Sequence, residues 1–351
     1  MVLGSAIMSQ SVANYSHRRT LAKGRVRLSA LGFGAAPIGN LYTPVVEADA
    51  QAAVQEALAR GIRYFDTAPY YGFGLSEQRL GRALKGASRD SFAISTKVGR
   101  RIQTDESNRS ASTSGFAVNG GQAIFDYSRD GVQRSFESSL LRLGVDYVDI
   151  LLLHDVGRLT HGDHHPQVLR QALDEALPAM AALRNSGAVG AIGIGVNEQA
   201  VCLELMPRFD LDCIMLAGRY TLLEQRDSID VMAEAERRAV KIIAASPFNG
   251  GLLGDGRGPG ETYNYQPVDA ATLDHARALY AMCALEGVDI GAAALQLPLA
   301  HPAVVSVVAG QRSAGEVVCA AQRLQAPIPA TLWKRLRQAK LLEPSTVVPS
   351  T

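Results

Sequence analysis

Short runs rich in β-branched residues alternate with longer, alanine-rich stretches of helical period over most of this chain. Eight such runs occupy residues 31–34, 62–66, 92–97, 148–154, 191–196, 213–217, 241–245 and 304–309. Segments with helical spacing fall at 47–60, 76–85, 129–143, 167–186, 198–207, 224–238, 269–286 and 313–324, several opening on an acidic or hydroxyl residue and closing near glycine, as at Gly61 and Gly287. The strand runs are almost continuously apolar, as expected of parallel strands buried on both faces. Eight β–α units of this kind predict an α/β fold, a closed (β/α)8 barrel whose site lies at the C-terminal ends of its strands.

A length of 351 residues accommodates one barrel at 21–351 with long loops, preceded by an arm at 1–20 whose start lacks hydrophobic periodicity. Three stretches, 99–126, 156–166 and 250–267, exceed ordinary loop lengths and each follows a strand, so all three should rise over the barrel mouth. The first and last are short of core-forming residues apart from anchors such as Phe116, Phe125 and Tyr263, which predicts mobility until a ligand orders them.

Composition narrows the function classes. Apolar residues make up 47% and charged residues 20%, a soluble globular balance, and a net charge of +1 gives no electrostatic case for nucleic acid or an acidic membrane surface. Cys202, Cys213, Cys283 and Cys319 are scattered, which suggests reduced and mostly buried thiols. The first twenty residues hold no apolar stretch of signal-peptide length, and no segment approaches the roughly 20 apolar residues of a membrane span, so a cytoplasmic enzyme acting on a small molecule is expected. Oligomeric state is left open.

The candidate chemistry sits at three strand ends. Asp66 and Tyr71 close and follow the second run, Lys97 ends the third, and His154 ends the fourth. Carbonyl reduction by hydride, or its reverse, needs a group that exchanges a proton with the alkoxide. A tyrosine serves if its ordinary pKa of about 10 is lowered by a nearby cation. Lys97 supplies that cation, Asp66 holds Lys97 charged and in place, and His154 donates a hydrogen bond that orients the substrate oxygen against Tyr71.

With those residues in hand, the chain resembles the aldo-keto reductases over about residues 28 to 328. The stretch Gly61-Ile-Arg-Tyr-Phe-Asp-Thr-Ala-Pro-Tyr-Tyr-Gly-Phe-Gly-Leu-Ser-Glu77 carries the likeness, with Leu143-Gly-Val-Asp-Tyr-Val-Asp-Ile-Leu-Leu-Leu-His154 beside it. The resemblance implies that Tyr71 is the acid/base, that Lys97 and Asp66 tune it, and that His154 sets the carbonyl orientation. It also implies a nicotinamide dinucleotide bound without a Rossmann domain.

Further stretches, Leu31-Gly-Phe-Gly-Ala-Ala-Pro-Ile-Gly-Asn-Leu-Tyr42, Asp126-Tyr-Ser-Arg-Asp-Gly-Val132 and Ala217-Gly-Arg-Tyr-Thr-Leu-Leu223, are similar to the branch of D-threo-aldose, L-fucose and L-galactose dehydrogenases and pyridoxal 4-dehydrogenase. That branch implies oxidation of the anomeric carbon of an aldose, or of pyridoxal hemiacetal, to a lactone. The alternatives are a carbonyl reductase of aldehydes or ketones, and a noncatalytic redox-sensing or channel-associated subunit on the same fold.

By the same resemblance the cofactor residues are Asn197, Ser246, Phe248, Gly250, Leu252, Gly310, Gln311, Arg312 and Glu316. The chain departs from the family pattern where its glutamine and stacking tyrosine fall on Ala217 and Ala245, for which Arg219 and Phe248 are the candidate substitutes. The family's phosphate-pairing lysine and arginine fall on Gly310 and Glu316, which implies NAD over NADP, although Arg312 and Gln311 keep NADP as the alternative. Gly32-Phe-Gly34 lacks the third glycine and the following acidic residue of a dinucleotide fingerprint. His161, Asp163, His164 and His165 have metal-capable chemistry but no fixed spacing, and no metal is expected.

Overall fold

The computed structural model describes residues 18–104, 115–118, 121–254, 258–260, 262–263 and 266–350. Eight parallel strands close into a barrel: β1 (Leu31–Gly34), β2 (Tyr64–Asp66), β3 (Ala93–Val98), β4 (Val148–His154), β5 (Val189–Val196), β6 (Cys213–Ala217), β7 (Lys241–Ala245) and β8 (Val304–Gly310). Each strand pairs with its neighbours in sequence, and β8 closes on β1 through the register Val308 to Gly32 and Gly310 to Gly34. The eight expected strands are therefore the eight barrel staves, with helices between them as the periodicity predicted.

Apolar side chains form three packed regions. One lies between the strands and the surrounding helices. A second fills the barrel with Tyr64, Ile150, Leu152, Met215, Ile243 and Val308. Leu21, Val26 and Leu28 join this interior from an antiparallel hairpin, Arg18–Leu21 with Val26–Ser29. Arg19 donates from Nη1 to the carbonyls of Leu299 and Val304, so the hairpin seals the end of the barrel where the strands begin. The third region lies under the helices Ala270–Leu285, Ile290–Leu299 and Ala330–Gln338.

The elements depart from expectation where local pattern was weakest. Arg18–Leu21 is strand, so the last residues of the expected arm belong to a hairpin; residues 1–17 lie outside the described residues. The stretch expected as loop 99–126 contains a second hairpin, Arg100–Thr104 with Gly121–Phe125, and a bridge joins Leu41 to Phe116. These strands pair with each other and not with the barrel, so they lack the continuous apolar run that marks a stave. Residues 105–114 and 119–120 of that stretch, and 255–257, 261 and 264–265 of the stretch 250–267, on which part of the expected mobility falls, lie outside the described residues.

Residues 158–161 and 165–186 are helical, which moves the helix expected from 167 two residues earlier, with Pro166 in its first turn. The helices Ile290–Leu299 and Ala330–Gln338 were not anticipated. The first is buried almost all round and carries Pro298, so it shows neither amphipathic period nor a clean end. Cys202, Cys213 and Cys283 are buried and unbridged, as expected, and Cys319 is half-buried. Among the described residues no single helix is long and apolar enough to cross a membrane.

Candidate active site

At the C-terminal ends of β2, β3 and β4 the structure brings Asp66, Tyr71, Lys97 and His154 into one cluster. Asp66 and Lys97 are 4% and 2% exposed, so their charges must be matched inside the protein. Lys97 Nζ donates to both Asp66 carboxylate oxygens, at 2.9 and 2.8 Å, and to the Thr67 carbonyl at 2.9 Å. A third hydrogen bond reaches the same carboxylate: Tyr64 Oη donates to Ser95 Oγ at 2.9 Å, and Ser95 Oγ donates to Asp66 at 2.6 Å. Asp66 is thus held from behind as well as from the side.

Tyr71 stands in front of this pair, with Lys97 Nζ 4.7 Å from its ring centre. Its position rests on a close backbone approach between two loops. Gly72 has φ +63°, and a Cβ there would lie 2.3 Å from the carbonyl oxygen of Gly39, so only glycine lets the loop after β2 pack against the turn Pro37–Gly39. His154 presents its ring edge to Tyr71, with centroids 6.1 Å apart and planes at 88°. Phe116 covers the other side of Tyr71 at 5.9 Å. Burial pushes the His154 imidazole well below its ordinary pKa, and the cations of Arg100 and Lys97 push the same way, so it is neutral at neutral pH.

Two residues that the sequence reading missed complete the wall. Asp155 follows His154 with φ +48°, and this left-handed backbone turns its carboxylate to within 3.4 Å of His154 Nε2. Arg100 donates from Nη2 to Asp155 Oδ2, and its guanidinium lies 4.4 Å from the Tyr70 ring centre and 4.8 Å from that of Phe125. Arg100 reaches there because Gly99, φ +98°, turns the chain away from the barrel; a Cβ at that position would lie 2.6 Å from Tyr127. Burial raises the Asp155 carboxyl, opposed by Arg100 and Lys97. The signal available in the sequence was adjacency, an aspartate directly after the histidine and an arginine three positions beyond the lysine.

The expected cofactor residues gather at the ends of β5, β7 and β8. Asn197 follows β5, and its carbonyl accepts from Arg219 Nε at 2.5 Å. Arg219 also donates to Tyr263 Oη at 2.9 Å, bridging the β5 end to the residue pair Thr262–Tyr263. Ala217 and Ala245 stand side by side at the ends of β6 and β7, giving a small-residue floor. Ser246, Asn249, Gly250 and Gly251 all have positive φ, so the loop after β7 coils tightly and a Cβ at Gly251 would meet nothing within 4 Å. Phe248 packs into the core with Arg323 5.8 Å from its ring centre, and the Leu252 side chain is fully buried beneath the loop.

The remaining residues expected at the cofactor follow β8. Gln311 is 1% exposed, yet neither atom of its side-chain amide has a hydrogen-bond partner. A buried amide in that condition costs stability unless a further polar group joins it, and a dinucleotide supplies donors and acceptors. Ser313 caps the helix Ala314–Gln325 by accepting from the Glu316 amide, while the Glu316 carboxylate accepts from the Arg312 amide at 2.8 Å and pairs with Arg312 Nε at 2.9 Å.

The histidines of residues 161–165 diverge. His161 Nε2 lies 3.0 Å from both Tyr127 Oη and the Asp155 carbonyl, whereas His165 is buried and faces Glu204 at 3.4 Å. Among the described residues no group of three or more His, Cys, Asp or Glu side chains is arranged to hold a metal ion.

Comparison with known proteins gives a consistent picture. The model of the aldo/keto reductase family matches residues 30–340. The chain is 37% identical to pyridoxal 4-dehydrogenase of Microbacterium luteolum over 339 residues, 93% of this chain and 98% of that protein. It is 38% identical to D-threo-aldose 1-dehydrogenase of a Pseudomonas species over 328 residues, covering 90% and 95%. Among solved structures, an aldo-keto reductase from Bacillus halodurans in its holo form superposes with a TM-score of 0.73 at 27% identity, covering 95% of this chain and 98% of that one.

Proposed function

The chain belongs to the aldo/keto reductase family and is an oxidoreductase, and on that premise we propose that it oxidises the anomeric carbon of a cyclic aldose of the L-fucose, L-galactose or D-arabinose type, or pyridoxal in its hemiacetal form, to a lactone. Enzymes of this family use nicotinamide cofactors. The observation that carries the reading is the pairing of a half-buried phenol, Tyr71, with a buried ammonium, Lys97, held at 2.8 Å by Asp66.

A nicotinamide dinucleotide held by residues at the ends of β5 to β8 would supply the acceptor for the hydride that leaves the anomeric carbon. Tyr71 takes the hydroxyl proton, and the Lys97 charge stabilises the phenolate so formed. Asp66 keeps Lys97 in place through two hydrogen bonds, and Tyr64 and Ser95 keep Asp66 in place. His154, Tyr70 and Phe116 shape the apolar and polar faces against which the sugar ring lies. Asn197, Ser246, Phe248, Gly250, Leu252, Gly310, Gln311, Arg312 and Glu316 would hold the dinucleotide, Leu252 through the packing that supports the loop. Gln311 is the residue with most to gain from that contact.

NAD is the preferred form on this reading. Arg312, the cation available near a 2′-phosphate, is already paired with Glu316, and the Glu316 carboxylate repels a further dianion.

The test mixes protein, NAD or NADP, and L-fucose, L-galactose, D-arabinose or pyridoxal, and follows absorbance of the reduced nicotinamide. Turnover with at least one substrate, and a higher kcat/KM with NAD, are expected. No turnover with any of them would favour the noncatalytic alternative, and a tenfold preference for NADP, about 1.4 kcal/mol, would show that Arg312 escapes Glu316.

A further inference from the structure

We propose that Asp155 and Arg100 form a hydroxyl-recognising wall that selects substrates carrying a hydroxyl on the carbon next to the one oxidised. The proposal rests on the aldose form of the reading above and names what sets its specificity.

Three observations carry it. The first is placement. Asp155 Oδ2 lies 3.4 Å from His154 Nε2, so the carboxylate begins where the reacting oxygen's surroundings end, at a spacing comparable to that of two oxygens on adjacent carbons. The second is unused bonding capacity. Among the described residues Arg100 makes one side-chain hydrogen bond, to Asp155 Oδ2, and its Nε–H is buried without a partner; Asp155 Oδ1 takes no hydrogen bond from any of them. Donor and acceptor therefore stand together, which is the complement of a hydroxyl group that both accepts and donates.

The third is that the arrangement is held against local cost. Asp155 sits in the left-handed region at φ +48°, where a non-glycine residue is strained by about 1–3 kcal/mol, and a turn at Gly99 is needed to bring Arg100 across. Tyr70 and Phe125 sandwich the guanidinium and limit its alternatives. An ion pair built at that expense on the wall of a catalytic pocket, with spare polar atoms on both partners, is suited to binding a polar group of the substrate.

His154 Nε2 lies 3.4 Å from the Asp155 carboxylate, and Nδ1 is buried without a partner. Recognition of the neighbouring hydroxyl then falls to Asp155 and Arg100.

The experiment compares L-fucose with 2-deoxy-L-fucose, and L-galactose with 2-deoxy-L-galactose, for the wild type, Asp155→Asn, Asp155→Ala and Arg100→Met, with NAD present throughout. The wild type is expected to favour the 2-hydroxy sugar by at least about tenfold in kcat/KM, since a site built to bond a hydroxyl rejects the analogue lacking it. Both Asp155 variants should bring that ratio to within about threefold, chiefly by raising KM for the hydroxylated sugar, and Arg100→Met should do the same in part.

Equal loss on the two sugars of a pair would overturn the proposal by showing that Asp155 acts only through His154. An unchanged ratio would overturn it too. Circular dichroism and NADH fluorescence titration of each variant establish that fold and cofactor site persist; should Asp155→Ala fail to fold, the isosteric Asp155→Asn decides. If the wild type turns over none of the four sugars, the aldose reading itself fails, a result distinct from failure of the wall.

Discussion

Tyr71 and His154 meet edge to face, with Lys97 behind the phenol, and this geometry yields the sharpest expectation for a single atom. Tyr71→Phe removes the hydroxyl while leaving a ring to pack against Phe116 and His154, so kcat should fall by roughly 10²–10⁴-fold. The Kd for NADH, read by fluorescence, should stay within about threefold of the wild type. Lys97→Met should be comparably damaging. Near-native turnover by Tyr71→Phe would show that the proton leaves by another group. The four residues of this cluster were legible because strand ends are legible: once the apolar runs are placed, Asp66, Lys97 and His154 can only lie at one rim. Asp155 and Arg100 were not, because their side-chain directions depend on positive φ at Asp155 and Gly99. That is a property of the packed loops and not of residue type. Glu316 was read as a repulsive neighbour of the cofactor; the structure adds that its carboxylate is engaged by Arg312 and the helix start.

The elements divide along the same line. Staves buried on both faces announced themselves by unbroken apolar runs, and Val148–His154 and Cys213–Ala217 fall on the expected residues. The hairpin Arg18–Leu21 with Val26–Ser29 did not, since its strands are four residues long and alternate polar with apolar only briefly. Its contribution is to stability. Leu28 is fully buried among residues that line the barrel interior, including Tyr64 and Ile150. Leu28→Ala should therefore cost about 2–5 kcal/mol, read as a lower denaturant midpoint at unchanged slope. Because the hairpin seals the end of the barrel opposite the site, KM for sugar and cofactor should be unaffected. A loss below about 1 kcal/mol would mean that the hairpin lies on the barrel without being packed into it.

At the scale of the whole molecule, closing the barrel and laying loops over its rim buries imidazoles that water would otherwise protonate. His154 is depressed well below its ordinary value by burial, then by Arg100 and Lys97, and His161 and His301 are lowered as well, each chiefly by burial. For a group whose folded pKa lies below the unfolded one, stability is complete above the unfolded value, about 6.5 for histidine. As pH falls beneath that point the unfolded chain binds a proton that the folded chain refuses, so stability declines until the folded value is reached. The melting temperature should accordingly drop as pH is lowered from 7 toward 5, by a steeper slope than carboxylates alone would give. His154→Gln removes the largest single contributor while keeping a polar side chain, and its slope over that window should be shallower whatever its absolute melting temperature. Parallel slopes for wild type and variant would show that His154 takes up its proton as readily in the folded barrel as in the unfolded chain, and that the neutral imidazole beside Asp155 is not what the closed site maintains.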